Sequence, residues 1–173
     1  NRNGEFTVNI ALIENGRPVL GVVYVPVTGV CYLAAQGAGA WKLHAGVQTP
    51  IRVRDYRGGR ATEVASRSHA GPETERFLAK LAGCEGGYDT ASLGSSLKLC
   101  LVAEGAADIY PRLGPTSEWD TAAAHCVVEA AGGRVVNLAG DPLVYNKPDI
   151  LNPYFLAIGG GSYNWLDYFH GDR

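Results

Sequence analysis

The chain has 173 residues, 46% of them hydrophobic, with 15 Lys plus Arg against 17 Asp plus Glu and a formal net charge of −2. That length and apolar content suit one domain with its own core, and the nearly balanced charge leaves no broad cationic surface for a polyanion, which argues against nucleic-acid binding. No apolar run reaches the ~18 to 20 residues of a bilayer-spanning helix, and no signal peptide opens the chain.

Phe6, Val8, Ile10 and Leu12 alternate with Thr7, Asn9 and Ala11, the period of a strand with one face more apolar than the other. Asn15-Gly16 offers the turn favoured by two-residue hairpins, and Val19 to Val27 reads as a second strand. A turn at Thr28-Gly29 leads into a third, Val30 to Ala35, so residues 1–48 are expected to form an antiparallel meander. The glycine-rich run Gln36 to Trp41 precedes another extended stretch and lacks the Lys-Ser/Thr of a phosphate-cradling loop, so it reads as a bend in a sheet. The polar stretch Thr49 to Arg60 reads as the connection to a second half.

In residues 61–160 the rhythm changes. Glu63 to Ser68 reads as extended, and Pro72 to Leu81 as a helix with proline in its first turn. Tyr88 to Ser92 is a short strand, and Ser95 to Glu104 a helix ended by Gly105. Ala107 to Pro111 is a strand, Asp120 to Ala131 a helix capped by Gly132-Gly133, and Arg134 to Asn137 and Leu156 to Gly159 are the last strands. The expected fold class is therefore α/β in layers (α+β): an antiparallel meander followed by a mixed α/β/α half. Cys31, Cys84, Cys100 and Cys126 are scattered without zinc spacing and read as buried small residues of a reducing compartment.

Asp120 sits on the first turn of a helix whose other residues are mostly small and apolar, which places one carboxylate at a wall able to hold a cation; the plain alternative is an acid favoured by the helix dipole. Ser95 and Ser96 open a helix after Gly94, either as an anion-binding N-terminus or as an ordinary cap, and Lys98 one turn on either reaches back to the same anion or is solvated. Arg112 has the planar fork suited to a phosphate or to a carboxylate partner such as Glu118. His69 is a lone loop histidine. His125 and Glu129 fall one helical turn apart, but no nucleophile constellation surrounds them, so packing on the helix flank is their expected role.

The run Trp119-Asp120-Thr121-Ala122-Ala123-Ala124, continuing through an apolar stretch to Gly132-Gly133, resembles the second signature of the inositol monophosphatase superfamily. Within it, Gly94-Ser95-Ser96-Leu97-Lys98 and Tyr110-Pro111-Arg112 resemble the CysQ-type 3′(2′),5′-bisphosphate nucleotidase branch. Asn3 to Leu12 is similar to the strand that follows the Asp-Pro-(Leu/Ile)-Asp-Gly-Thr metal motif of that branch, so the chain is expected to be the C-terminal part of one such domain, with the metal-motif region upstream of Asn1.

The resemblance implies an inositol monophosphatase and fructose bisphosphatase-like sandwich. It implies a Mg2+-dependent phosphatase that removes the 3′-phosphate of adenosine 3′,5′-bisphosphate, with inositol or sugar phosphates as the alternative substrates. Asp120 would hold one Mg2+ and lie close to the substrate, Ser95, Lys98 and Arg112 would place the nucleotide and its phosphate, and His69 would lie near the base or ribose. No catalytic residue is identifiable in the chain on this reading, because the activating acids precede Asn1. The partner would be a small phosphorylated nucleotide, with association with the missing N-terminal portion or a homo-oligomer also open. The location would be the cytoplasm, or the inner-membrane periphery. A noncatalytic module binding an anion or a partner is the remaining alternative.

Overall fold

The computed structural model describes residues 4–65, 71–83 and 86–169. Strands β1 (Val8–Glu14), β2 (Arg17–Val25), β3 (Val30–Ala35), β4 (Gly39–His44) and β5 (Val47–Pro50) form an antiparallel meander in sequence order. The meander thus has five strands and runs past residue 48 to Pro50, because the chain reverses again at Ala45-Gly46 and pairs His44 with Val47. The first hairpin turns at Asn15-Gly16, both with positive φ (50° and 76°), the backbone twist that two-residue hairpins require.

The second sheet has the order β7-β6-β8-β10-β9. Its strands are β6 (Ala61–Ala65), β7 (Tyr88–Ser92), β8 (Ile109–Arg112), β9 (Arg134–Asn137) and β10 (Phe155–Ile158). β6 pairs in parallel with β7 and β8, while β10 runs antiparallel to β8 and β9. Parallel neighbours need crossovers, and the helices α1 (Pro72–Ala82) and α2 (Leu97–Ala103) supply them. The expected strand Glu63 to Ser68 is shifted to β6; residues 66–68 lie outside the described residues, as do His69 and Cys84.

Helix α3 (Glu118–Ala130) lies between the two sheets. Its Ala122, Ala123, Ala124, Cys126, Val127 and Val128 are all buried, as expected of a helix apolar on nearly every side. It presses so closely on β2 that a Cβ at Gly21 would stand 2.2 Å from the Ala123 carbonyl oxygen. One core joins α2 and α3 to the meander and to one face of the second sheet. A second core, built on Phe77, Leu81, Ile109, Leu156 and Trp165, covers the opposite face of that sheet.

The apolar face of β1 is not the one that the helix covers. Val8, Ile10 and Leu12 are exposed, as is Phe6 just before the strand, while Asn9, Ala11 and Ile13 on the other face are partly buried. Alternation shows which residues share a face; the position of α3 decides which face is covered. Cys100 and Cys126 are buried free thiols and Cys31 is partly buried. No helix among the described residues is long and apolar enough to cross a membrane.

Candidate functional site

The two halves meet at a cavity of about 250 Å³ lined by Asn9, Ser95, Lys98, Tyr110, Arg112 and Asp120, among others. β1 supplies Asn9, the start of α2 supplies Ser95 and Lys98, β8 supplies Tyr110 and Arg112, and the first turn of α3 supplies Asp120. Four of the five site residues expected from sequence are therefore brought together. His69 lies outside the described residues.

Ser95 departs from its expected role. It does not begin a helix: α2 starts at Leu97, and Ser95 holds a left-handed backbone with φ 54°. Such a conformation costs a non-glycine residue about 1 kcal/mol or more and persists where surrounding contacts fix it. Here the contacts are hydroxyls: Thr7 Oγ1 lies 2.5 Å from Ser95 Oγ and 2.9 Å from Ser96 Oγ, and Ser96 donates to Asn9 Oδ1 at 2.8 Å. With that last proton assigned, Ser96 accepts from Thr7 and Thr7 accepts from Ser95, a directed chain that ties the lead into β1 to the lead into α2. Thr7 and Asn9 escape a sequence reading because each is one polar residue in an alternating strand.

Lys98 is only 7% exposed. Its ammonium donates to the Ser95 carbonyl at 3.0 Å and lies 5.6 Å from the centre of the Tyr110 ring. It thus reaches back one turn, to a backbone carbonyl. Burial, and then the neighbouring Arg112 charge, lower its pKa to about 8, with Glu5 offsetting part of the effect. Arg112 donates from Nη2 to the Pro115 carbonyl at 3.0 Å, while its Nε is buried without a hydrogen-bond partner among the described residues. The bond to Glu118 considered from sequence is not made; Glu118 instead binds the Lys147 ammonium at 2.7 Å. Tyr110, buried beneath both cations, has its hydroxyl pKa pushed up to about 12, chiefly by burial. Two cations that bond backbone carbonyls, one with an unsatisfied N–H, leave the pocket suited to an anion.

Asp120 is exposed at this cavity, not set into a wall. Its Oδ2 accepts the Ser117 backbone N–H at 2.8 Å, closing the cap of α3. Among the described residues its other oxygen has no hydrogen-bond partner. One oxygen of the carboxylate therefore caps the helix, and the other lies open at the cavity. Among the described residues no three His, Cys, Asp or Glu side chains converge as a metal cage. One open oxygen at the cavity fits a single ligand position of a divalent cation, since magnesium is held by one or two carboxylates together with water and phosphate oxygens.

His125 is fully buried and outside this cavity, with Nδ1 2.7 Å from the Tyr145 hydroxyl and Nε2 3.1 Å from Glu129 Oε1, though off the line of a well-formed hydrogen bond. It packs on the helix flank as expected. Beside it a second cavity, lined by Ala11, Ile13, Glu118, Trp119 and Tyr145, shares Asn9 with the first.

Residues 1–157 match the model of the inositol monophosphatase family. The chain is 55% identical over 155 residues to the 3′(2′),5′-bisphosphate nucleotidase CysQ of Escherichia coli K12, covering 89% of this chain and 60% of that protein. Its fold superposes on CysQ from Bacteroides thetaiotaomicron with a TM-score of 0.84 at 47% identity, covering 93% of this chain and 65% of the other. An inositol monophosphatase from Anabaena gives a TM-score of 0.75 at 27% identity, with 96% and 65% covered. The chain thus spans about 60% of the length of the curated relative from Escherichia coli. With the family pattern spanning nearly the whole chain and the same fold found in its solved members, this chain belongs to the inositol monophosphatase family.

Proposed function

We propose that the protein carrying this chain is a magnesium-dependent phosphatase that hydrolyses the 3′-phosphate of adenosine 3′,5′-bisphosphate, giving AMP and inorganic phosphate. The observation that carries the reading is one pocket in which a buried lysine and a half-buried arginine face the same space as a carboxylate with an open oxygen. Lys98 and Arg112 hold and orient the phosphorylated nucleotide, and Ser95, fixed by the hydroxyl chain from Thr7, offers a further polar contact. Asp120 supplies one oxygen to the metal. Bound magnesium supplies polarisation of the phosphoryl group and activation of water. His69 is assigned to the base or ribose, and the remaining metal ligands to residues beyond this chain.

The nucleotide, in preference to inositol phosphate, is supported by the 55% and 46% identity to the 3′(2′),5′-bisphosphate nucleotidases CysQ of Escherichia coli and Buchnera. A cytoplasmic location accords with free thiols at Cys31, Cys100 and Cys126. The test is kcat/KM of the full-length protein with Mg2+ on adenosine 3′,5′-bisphosphate and on inositol 1-phosphate. A preference of at least about 100-fold for the nucleotide is expected, the scale set by a site built around polar contacts to one substrate. Equal or reversed preference overturns the substrate, and hydrolysis of neither overturns the enzyme.

A further inference from the structure

Asn152 precedes β10 and lies 9% exposed against the first turn of α3. Its Nδ2 stands 2.9 Å from the Ser117 carbonyl, 3.0 Å from Thr121 Oγ1 and 3.2 Å from Thr116 Oγ1. The Ser117 carbonyl can only accept, which fixes the amide with nitrogen toward the helix. Thr121 donates its hydroxyl proton to the Glu118 carbonyl at 3.2 Å and so presents a lone pair to Asn152. The backbone joins in: Asn152 N–H donates to the Thr116 carbonyl at 2.9 Å, and Glu118 N–H donates to the Ile150 carbonyl at 3.0 Å. The loop before β10 is thereby fastened along residues 116–118.

This turn aims Asp120. Ser117, whose carbonyl Asn152 holds, gives its own N–H to Asp120 Oδ2 at 2.8 Å, the one side-chain hydrogen bond of that carboxylate among the described residues. Thr116, Asp120 and Thr121 all line the site cavity. Asn152 also carries a cost: its Oδ1 is buried without a partner among the described residues, a penalty an apolar residue would avoid. An amide kept there at that cost, with three acceptors around its nitrogen, points to a role in geometry beyond packing.

We propose that Asn152, acting through Ser117 and Thr121, is a positioning residue that sets the direction of the Asp120 carboxylate toward a divalent cation. The inference rests on the metal role of Asp120 proposed above. It differs from a purely structural role in what it moves: metal affinity changes, while substrate binding at saturating metal does not.

The test uses the full-length protein and Mn2+ alone, with free Mn2+ followed by electron paramagnetic resonance in the absence of substrate. Circular dichroism first confirms that each variant is folded at the assay temperature. Asn152→Ala is expected to weaken Mn2+ binding about 10- to 100-fold, the range for losing a partner that orients a metal ligand. Its KM at saturating Mg2+ should stay within about 2-fold of wild type, since no pocket cation is touched. Thr121→Val, which keeps the shape and removes the hydroxyl, is expected to shift affinity the same way by less, and Thr121→Ser to restore it. Wild-type Mn2+ affinity in both folded Asn152→Ala and Thr121→Val overturns the positioning role alone. Should Asn152→Ala fail to fold, the contrast between valine and serine at residue 121 decides. Absence of Mn2+ binding by the wild type overturns the metal reading of Asp120, and this inference with it.

Discussion

The meander and the second sheet solve the burial of their faces differently. The β6–β10 sheet is covered on both sides, by α2 and α3 on one and by Phe77, Leu81 and Trp165 on the other. The meander is covered on one side by α3, and its other side presents Val8, Ile10, Leu12, Leu20 and Tyr24 to solvent, all at least 39% exposed. Across the β1–β2 register Val8 faces Tyr24 and Leu12 faces Leu20, so these side chains form one continuous apolar surface. Residues of the same type thus differ in energetic weight according to where α3 lies. The site sits where the two regions meet, and its polar groups come from both.

Substitutions at the seam should remove function and keep the fold, whereas those on covered faces should do the reverse. The largest effect is expected from Asp120→Asn, at least about 100-fold in kcat/KM of the full-length protein. Its melting temperature should hardly change, because asparagine accepts the Ser117 N–H as aspartate does. Near-normal turnover in that variant would remove the metal assignment.

Gly21→Ala comes next, on the covered face of the meander. An added Cβ 2.2 Å from the Ala123 carbonyl and 2.9 Å from the Cys126 Cβ must drive α3 off the sheet, costing about 2–3 kcal/mol by urea titration. A neutral result would show that α3 is free to slide.

Glu63 tests the second sheet. It is fully buried between β7 and β8, and among the described residues no well-formed hydrogen bond reaches either oxygen. Burial raises its pKa from 4.5 to about 7, offset only in part by the adjacent Thr90 hydroxyl. A raised folded-state value means that the native state holds a proton the unfolded chain has lost. Stability from this group is complete below pH 4.5, falls as pH rises toward 7, and is lost above it. Glu63→Gln should flatten that slope and raise stability at pH 8 relative to wild type by on the order of 2 kcal/mol. An unchanged difference between pH 5 and pH 8 denaturation curves would count against the buried carboxylate.

The smallest effect is expected from Ile10→Thr on the uncovered face, within about 0.5 kcal/mol by the same titration. A cost near that of Gly21→Ala would mean that this face is covered after all.

Much of this was legible in the residues. The first hairpin followed from Asn15-Gly16 and the end of α3 from Gly132-Gly133, where the Gly133 N–H closes on the Val128 carbonyl. Lys98, Arg112 and Asp120 were identifiable because their residue types in those runs carry the family pattern. The left-handed Ser95 was not, since hydroxyl contacts from Thr7, far away in sequence, impose it against local preference. Asn152 was invisible for the same reason: a loop amide shows its acceptors only once the chain has returned to α3.

By itself, the sequence determined what depends on neighbours along the chain: turn chemistry, strand and helix periods, and an aspartate on the first turn of a helix in a recognisable run, although the helix begins at Glu118, two residues earlier than expected. The tertiary structure alone decided which sheet face is buried, that Lys98 is desolvated beside Arg112, and that one oxygen of Asp120 is tied while the other stays open. Local propensities act over a few residues, whereas burial, charge proximity and the aim of a carboxylate arise from contacts between segments that only the folded chain brings together.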